Sequence, residues 1–140
     1  MKKFKIYLAG KMSGLTFEEM NLWRVKASMM LKGYSDVHIE NPCHYYNFEF
    51  VPTTFTDKEC KEFDLWLVKN SDLILVNLDF PNSIGTAIEM ELGSRIWNKP
   101  VIAFGHLVDI HPWMKEAVTK HCETMEEAIE YIFNFYLPNH

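Results

Sequence analysis

Apolar positions along this chain follow two periods. Nearly continuous apolar runs at Phe4–Ala9 and Leu73–Leu78 predict strands buried on both faces of a sheet. Asp36–Glu40 and Val101–Phe104 predict two more strands, and Lys120–Cys122 a short fifth. Between them the spacing turns helical. Phe17, Met20, Trp23, Ala27, Met30 and Leu31 mark a first helix, ended by Gly33. Cys60, Phe63, Leu67 and Val68 mark a second, ended at Asn70-Ser71. A third runs from the Gly85-Thr86 turn to about Trp97, and a short one is centred near Trp113. Ala128, Ile129, Ile132, Phe133 and Tyr136 form the core face of the last. Four Thr-x-x-Glu pairs, Thr16/Glu19, Thr56/Glu59, Thr86/Glu89 and Thr124/Glu127, read as capping boxes at helix starts.

Strands alternating with helices imply parallel pairing through right-handed crossovers. The expected fold is α/β, a three-layer sandwich of flavodoxin-like or Rossmann-like type with a parallel sheet of four or five strands. Residues 1–140 are read as one domain. Cys43–Phe55 interrupts the pattern: it is rich in aromatics, contains Pro52 and keeps no period. A long loop of this kind is either functional or a flap covering the core or a subunit contact.

Composition narrows the partners. Hydrophobic residues make up 48% and charged residues 24%, which is the balance of a globular protein. A net charge of −5 disfavours nucleic acid or an anionic membrane as the partner. Cys43, Cys60 and Cys122 show no CxxC spacing, which disfavours a disulfide framework or zinc site and favours a reducing cytoplasm. No signal peptide or membrane-spanning run is expected. The sequence contains no GxGxxG after the first strand, no GxxxxGK[ST] and no GxSxG, and its histidines lack metal-ligand pairing. No cofactor or metal is expected.

Candidate chemistry therefore gathers at the strand-to-helix turn after Leu78, since ligands of open α/β sheets bind at the carboxyl ends of the strands. Glu89 is the central acid, and from spacing alone a helix cap is a more natural reading than a catalyst. Asp64 and Asp79, just before and just after the same strand, offer a second carboxyl, and two carboxyls can divide into nucleophile and acid. Glu91 is a rival, but two helical residues on it points roughly 200° away. Ser83 and Asn82, with the amides of Gly85 and Thr86, suit a phosphate at a helix N-terminus, or form an ordinary loop. Lys11 and Ser13 in the first loop are a second phosphate contact or plain turn residues. Tyr7 is apolar enough for the core and polar enough to orient a carboxylate.

Tyr7-Leu-Ala-Gly10, Asp64-Leu-Trp-Leu-Val-Lys-Asn-Ser-Asp72 and Gly85-Thr-Ala-Ile-Glu89 together resemble the nucleoside 2-deoxyribosyltransferase family, and most nearly its 2′-deoxynucleoside 5′-phosphate N-hydrolase branch. The resemblance implies that Glu89 is the nucleophile at C1′ of the sugar, that Asp64 protonates the leaving base and that Tyr7 holds the nucleophile. It further implies that Gly10 lets the first loop pass under the ligand. Ser83 stands where the transferases on free nucleosides carry an aspartate that binds the sugar 5′-hydroxyl. A serine there implies a 5′-monophosphate, which an aspartate would repel and a hydroxyl can bind. The implied partner is a small nucleotide or nucleoside, and the implied assembly a homodimer or larger, with Trp113 or His106 as candidates to complete a neighbouring pocket. Three features depart from the family: Glu91, where a small residue is usual; one additional residue between Glu89 and Lys99; and Lys11-Met-Ser-Gly14 in the first loop.

Overall fold

A computed structural model describes residues 3–33, 36–45 and 55–140. Five parallel strands, β1 (Phe4–Ala9), β2 (Val37–Glu40), β3 (Leu73–Asn77), β4 (Val101–Phe104) and β5 (Lys120–Cys122), form one sheet in the order β2-β1-β3-β4-β5. Five helices flank it: α1 (Phe17–Leu31), α2 (Asp57–Lys69), α3 (Ile84–Glu91), α4 (Pro112–Glu116) and α5 (Met125–Tyr131). This is the three-layer α/β fold expected from the alternating periods.

Strand alternation divides the core. Phe4, Ile6 and Leu8 of β1 pack with Ala27 and Leu31 of α1 and Ile129 of α5, while Tyr7 and Ala9 face Val68 of α2 and Met90 of α3 on the other side. Tyr7 thus points from the central strand toward the helix that carries Glu89. The register sets Tyr7 beside Ile74 and Ala9 beside Val76. The chain leaves β1 and β3 in opposite directions across the sheet, so a crevice opens outside their carboxyl ends, the position where doubly wound folds bind ligands.

Two local differences from the sequence pattern have physical causes. Met30, expected on the core face of α1, is exposed; Arg24 and Ser28 are buried there instead. Beyond α3 the chain continues as a π-helix, Leu92–Ile96, with Trp97 N–H donating to the Leu92 carbonyl at 3.0 Å. A π turn holds one more residue than an α turn. Gly93 lies in this turn, and a Cβ there would sit 2.2 Å from Ile74 Cδ1, so the wide turn packs directly on β3. Of the aromatic stretch, Pro42–His44 forms a 3₁₀ turn and Tyr45 stacks edge-on with Phe63. Tyr46, Phe48, Phe50 and Pro52 lie outside the described residues.

Candidate active site

The β1–α1 loop, the exposed face of α2 and the β3–α3 turn enclose a cavity of about 740 Å³ at the switch point of the sheet. Gly10, Lys11 and Ser13 enter it from the first loop, Asp64 from α2, and Ser83, Gly85, Thr86 and Glu89 from the third helix and its approach. Tyr7 lies beneath, 1% exposed, and its hydroxyl donates to Glu89 Oε2. The residues read from the sequence as one site are therefore brought to one place.

The Thr86/Glu89 capping box does not form. Ser83 is the N-cap of α3: its Oγ accepts from the Thr86 N–H at 3.2 Å and lies 2.8 Å from Thr86 Oγ1. Thr86 is inside the helix, so Glu89 lies one turn beyond the capping positions and its carboxyl turns to Tyr7. Thr16/Glu19 and Thr56/Glu59 do form reciprocal boxes. At Thr124 the hydroxyl caps the Glu127 N–H, but the Glu127 carboxylate accepts from the Glu123 N–H instead.

Removal from solvent pushes the Glu89 carboxyl up to about 8; the Tyr7 hydroxyl pulls against that rise, Asp64 adds to it and the Arg24 guanidinium lowers it. Burial, reinforced by Glu89 and Asp64, raises the Tyr7 hydroxyl well above its ordinary range. Tyr7 therefore keeps its proton and acts as a donor, which favours the ionised form of Glu89. A partly buried carboxyl with a fixed donor on one oxygen, in the wall of a cavity, is equipped for nucleophilic or acid–base work.

The glycines play different parts. A Cβ on Gly10 would lie 2.9 Å from Trp23 Cζ2, so the first loop passes too close to α1 for a side chain. A Cβ on Gly85 would meet no protein atom within 4 Å; what it leaves open is cavity.

Other candidates are placed elsewhere. Asp79 faces a separate, smaller cavity beside Trp23 and Phe104, and its Oδ1 is 3.2 Å from His106 Nδ1. Glu91 pairs with Arg95 on the surface at 3.0 Å. Trp113, 76% exposed, lines an adjoining apolar hollow beside Ile84 and Ile88, well apart from His106 in environment. Lys61 and Asp57 also line the main cavity; sequence reading passed over both. The signal was present, because Asp57, Lys61 and Asp64 are spaced i, i+4, i+7 and share one face of α2.

No curated protein matches the chain. Solved structures share its fold. A conserved protein from Enterococcus faecalis V583 superposes with a TM-score of 0.74 at 16% identity, covering 94% of this chain and 98% of that one. A 2-deoxyribosyltransferase from the psychrotolerant bacterium Bacillus psychrosaccharolyticus gives 0.69 at 24% identity, covering 93% of each. The CMP N-glycosidase BcmB of Clostridium botulinum gives 0.59 at 16% identity, covering 94% and 99%. A family model matches residues 4–103, and by that match the chain belongs to the family described as a domain of unknown function, DUF4406.

Proposed function

We propose that this protein cleaves the base–sugar bond of nucleoside 5′-monophosphates, with Glu89 as nucleophile. The observation that carries the reading is the Glu89 carboxyl, held by the hydroxyl of buried Tyr7 instead of capping its own helix, at the wall of the switch-point cavity. In the proposed reaction a Glu89 oxygen bonds to C1′ while the C1′–N bond breaks, its electron pair leaving with the base. Asp64 supplies the proton the base takes up. Asp64 then accepts a proton from water, which attacks C1′ and releases the sugar phosphate and the Glu89 carboxylate. Structural likeness to a deoxyribosyltransferase and a CMP N-glycosidase supports this reaction class by analogy of fold.

The 5′-phosphate rests on Ser83, on the N-terminus of α3 and on two cations in the cavity wall, Lys11 and Lys61. Because Thr86 N–H already donates to Ser83 Oγ, the Ser83 hydroxyl proton remains available to an acceptor when Thr86 donates its own proton to Ser83. A second reading keeps the same nucleophile but passes the sugar to another base on free nucleosides. Asp57, which adds negative charge to the wall near Lys61, favours it over the phosphate.

Base release, followed on a panel of nucleosides and their monophosphates, tests the proposal. Release from monophosphates by the wild type, lost in Glu89→Ala, is the expected result; no release from any substrate contradicts it. A requirement for a second base replaces hydrolysis with transfer. Ser83→Asp is expected to reverse the preference for monophosphates, and an unchanged preference removes the phosphate from the reading.

A further inference from the structure

Strand β3 ends on Asn77, which alternation turns to the same face as Leu73 and Leu75, toward α1 and α5 and away from Tyr7. Its side chain is 4% exposed. The Oδ1 accepts the Asp79 N–H at 2.8 Å, which fixes the orientation of the amide and leaves Nδ2 at the other end. That nitrogen makes no hydrogen bond among the described residues, yet no fully buried side-chain nitrogen or oxygen among them lacks a partner. Nδ2 therefore opens on the cavity of about 340 Å³ that Asn77 and Asp79 line. A donor so nearly enclosed by protein is costly unless an acceptor enters the cavity. The cavity lies across Gly10 from the candidate active site. A Cβ on Gly10 would meet Trp23 Cζ2 at 2.9 Å and Asn77 Cβ at 3.5 Å, both in this second cavity's wall, while Gly10 itself lines the first.

The rest of the lining says what could bring that acceptor. Trp23 and buried Phe104 meet edge to face at 5.7 Å and give the cavity an apolar wall. Three carboxylates, Asp79, Glu123 and Glu126, stand around it against one cation, Lys26. Asp79 Oδ1 is turned to His106 at 3.2 Å, but its Oδ2 and the charged ends of Lys26, Glu123 and Glu126 have no partner among the described residues. No group of His, Cys, Asp and Glu among the described residues is placed to hold a metal ion. The excess negative charge therefore suits an organic ammonium. We propose that this cavity is a second ligand site, for a small apolar amine that also carries a carbonyl group. The ammonium sits among the carboxylates, the carbonyl accepts from Asn77 Nδ2, and the apolar body lies against Trp23 and Phe104. Each part of the ligand answers a group the fold leaves open, and a purely anionic ligand would face three like charges. The volume is at the small end of the roughly 300–1,000 Å³ range of small-molecule sites. The inference uses no group at Glu89 and is independent of the glycosidase reading.

Phenylalaninamide, which has the amine, the carbonyl and an apolar ring, is the probe. It is titrated into the full chain at neutral pH and followed by nitrogen-15 NMR, reading the Asn77 side-chain amide, the Trp23 indole N–H and the Gly85 backbone N–H. Saturable shifts at Asn77 and Trp23, with Gly85 unmoved, are the expected result. Phenylpropanamide, which lacks the amine, is expected to bind at least about tenfold more weakly, and phenethylamine, which lacks the carbonyl, about fivefold more weakly. In the protein, Glu126→Gln is expected to weaken the amide about fivefold. Asn77→Asp keeps the acceptor for the Asp79 N–H but removes the donor, and is expected to abolish the advantage of phenylalaninamide over phenethylamine. The exposed Glu126 variant and the two truncated probes carry the test should the Asn77 variant fail to fold. No shift at Asn77 at about 10 mM probe, where even a millimolar ligand is mostly bound, overturns the proposal. So do shifts centred on Gly85, which would place the probe in the main cavity, or equal binding of all three probes.

Discussion

Helices α2 and α3 both begin near a Thr-x-x-Glu pair, yet their glutamates meet opposite fates. At α2, Thr56 is the N-cap and the Glu59 carboxylate accepts the Thr56 N–H at 3.0 Å in full solvent contact. Those hydrogen bonds hold Glu59 below the usual carboxylate range. At α3 the cap moves three residues upstream to Ser83, Thr86 takes the position of the boxed glutamate, and Glu89 is freed to meet Tyr7. Its carboxyl is pushed up to about 8. The same four-residue pattern thus ends as a cap or as a carboxyl turned toward the cavity, depending on which residue takes the N-cap position, Thr56 at α2 and Ser83 at α3. Charge left unsatisfied by the cap is what the cavity can use.

Breaking the pair at its strongest point gives the largest effect. Glu89→Ala is expected to lower kcat/KM for base release by at least about 10³-fold, whereas Glu59→Gln leaves it unchanged. Comparable kinetics for the two variants would erase the distinction. Next comes the donor: Tyr7→Phe is expected to lower kcat/KM by roughly 10²-fold and to move the ascending limb of the pH profile further up from pH 8. An ascending limb in the ordinary carboxylate range for wild type would show that Glu89 does not govern the rate.

The two glutamates also give opposite stability slopes. Glu89 ionises near 4.5 when unfolded and about 8 when folded, so its contribution is fully present below 4.5 and is lost as pH rises to about 8. Glu59, held low in the fold, contributes stability above its unfolded value that is lost as pH falls through its folded one. Melts of wild type and Glu89→Gln between about pH 5 and about pH 9 should show the variant gaining on the order of 2–4 kcal/mol toward the alkaline end. A constant difference would mean that Glu89 is not desolvated. The smallest effect is at the caps: Thr56→Ala and Ser83→Ala should each cost about 1 kcal/mol, but only the second should change substrate preference in the base-release assay.

Much of this was legible in the sequence, and the exceptions follow one rule. Strands and helices declared themselves because a buried sheet demands continuous apolar runs such as Leu73–Asn77, and helices demand their own period. The candidate residues could be gathered because Tyr7 lies on a central strand, Ser83 caps α3, and Asp64 and Glu89 lie on the two helices that pack over the same face of the sheet. What escaped were side chains whose type misstates their place. Arg24 looks like a surface charge, although Met20, Arg24, Ala27 and Leu31 fall on one helical stripe and all are buried. Lys61 looks like a solvated helix residue until Asp64 defines its face. The α3 cap was misplaced because Ser83 and Thr86 are both competent caps, and only the loop geometry chooses between them. The π turn after Glu91 was not legible, because its apolar positions read as a continuation of the helix.

The central claim is that Glu89 forms a covalent bond to the sugar. Wild-type protein mixed with a cleaved monophosphate, acid-quenched within the first turnover and mapped by peptide mass spectrometry, tests it directly. The predicted result is a sugar-phosphate ester on the peptide containing Glu89, absent from Glu89→Gln; an ester on any other residue, or rapid base release with Glu89 unmodified throughout the turnover, contradicts it.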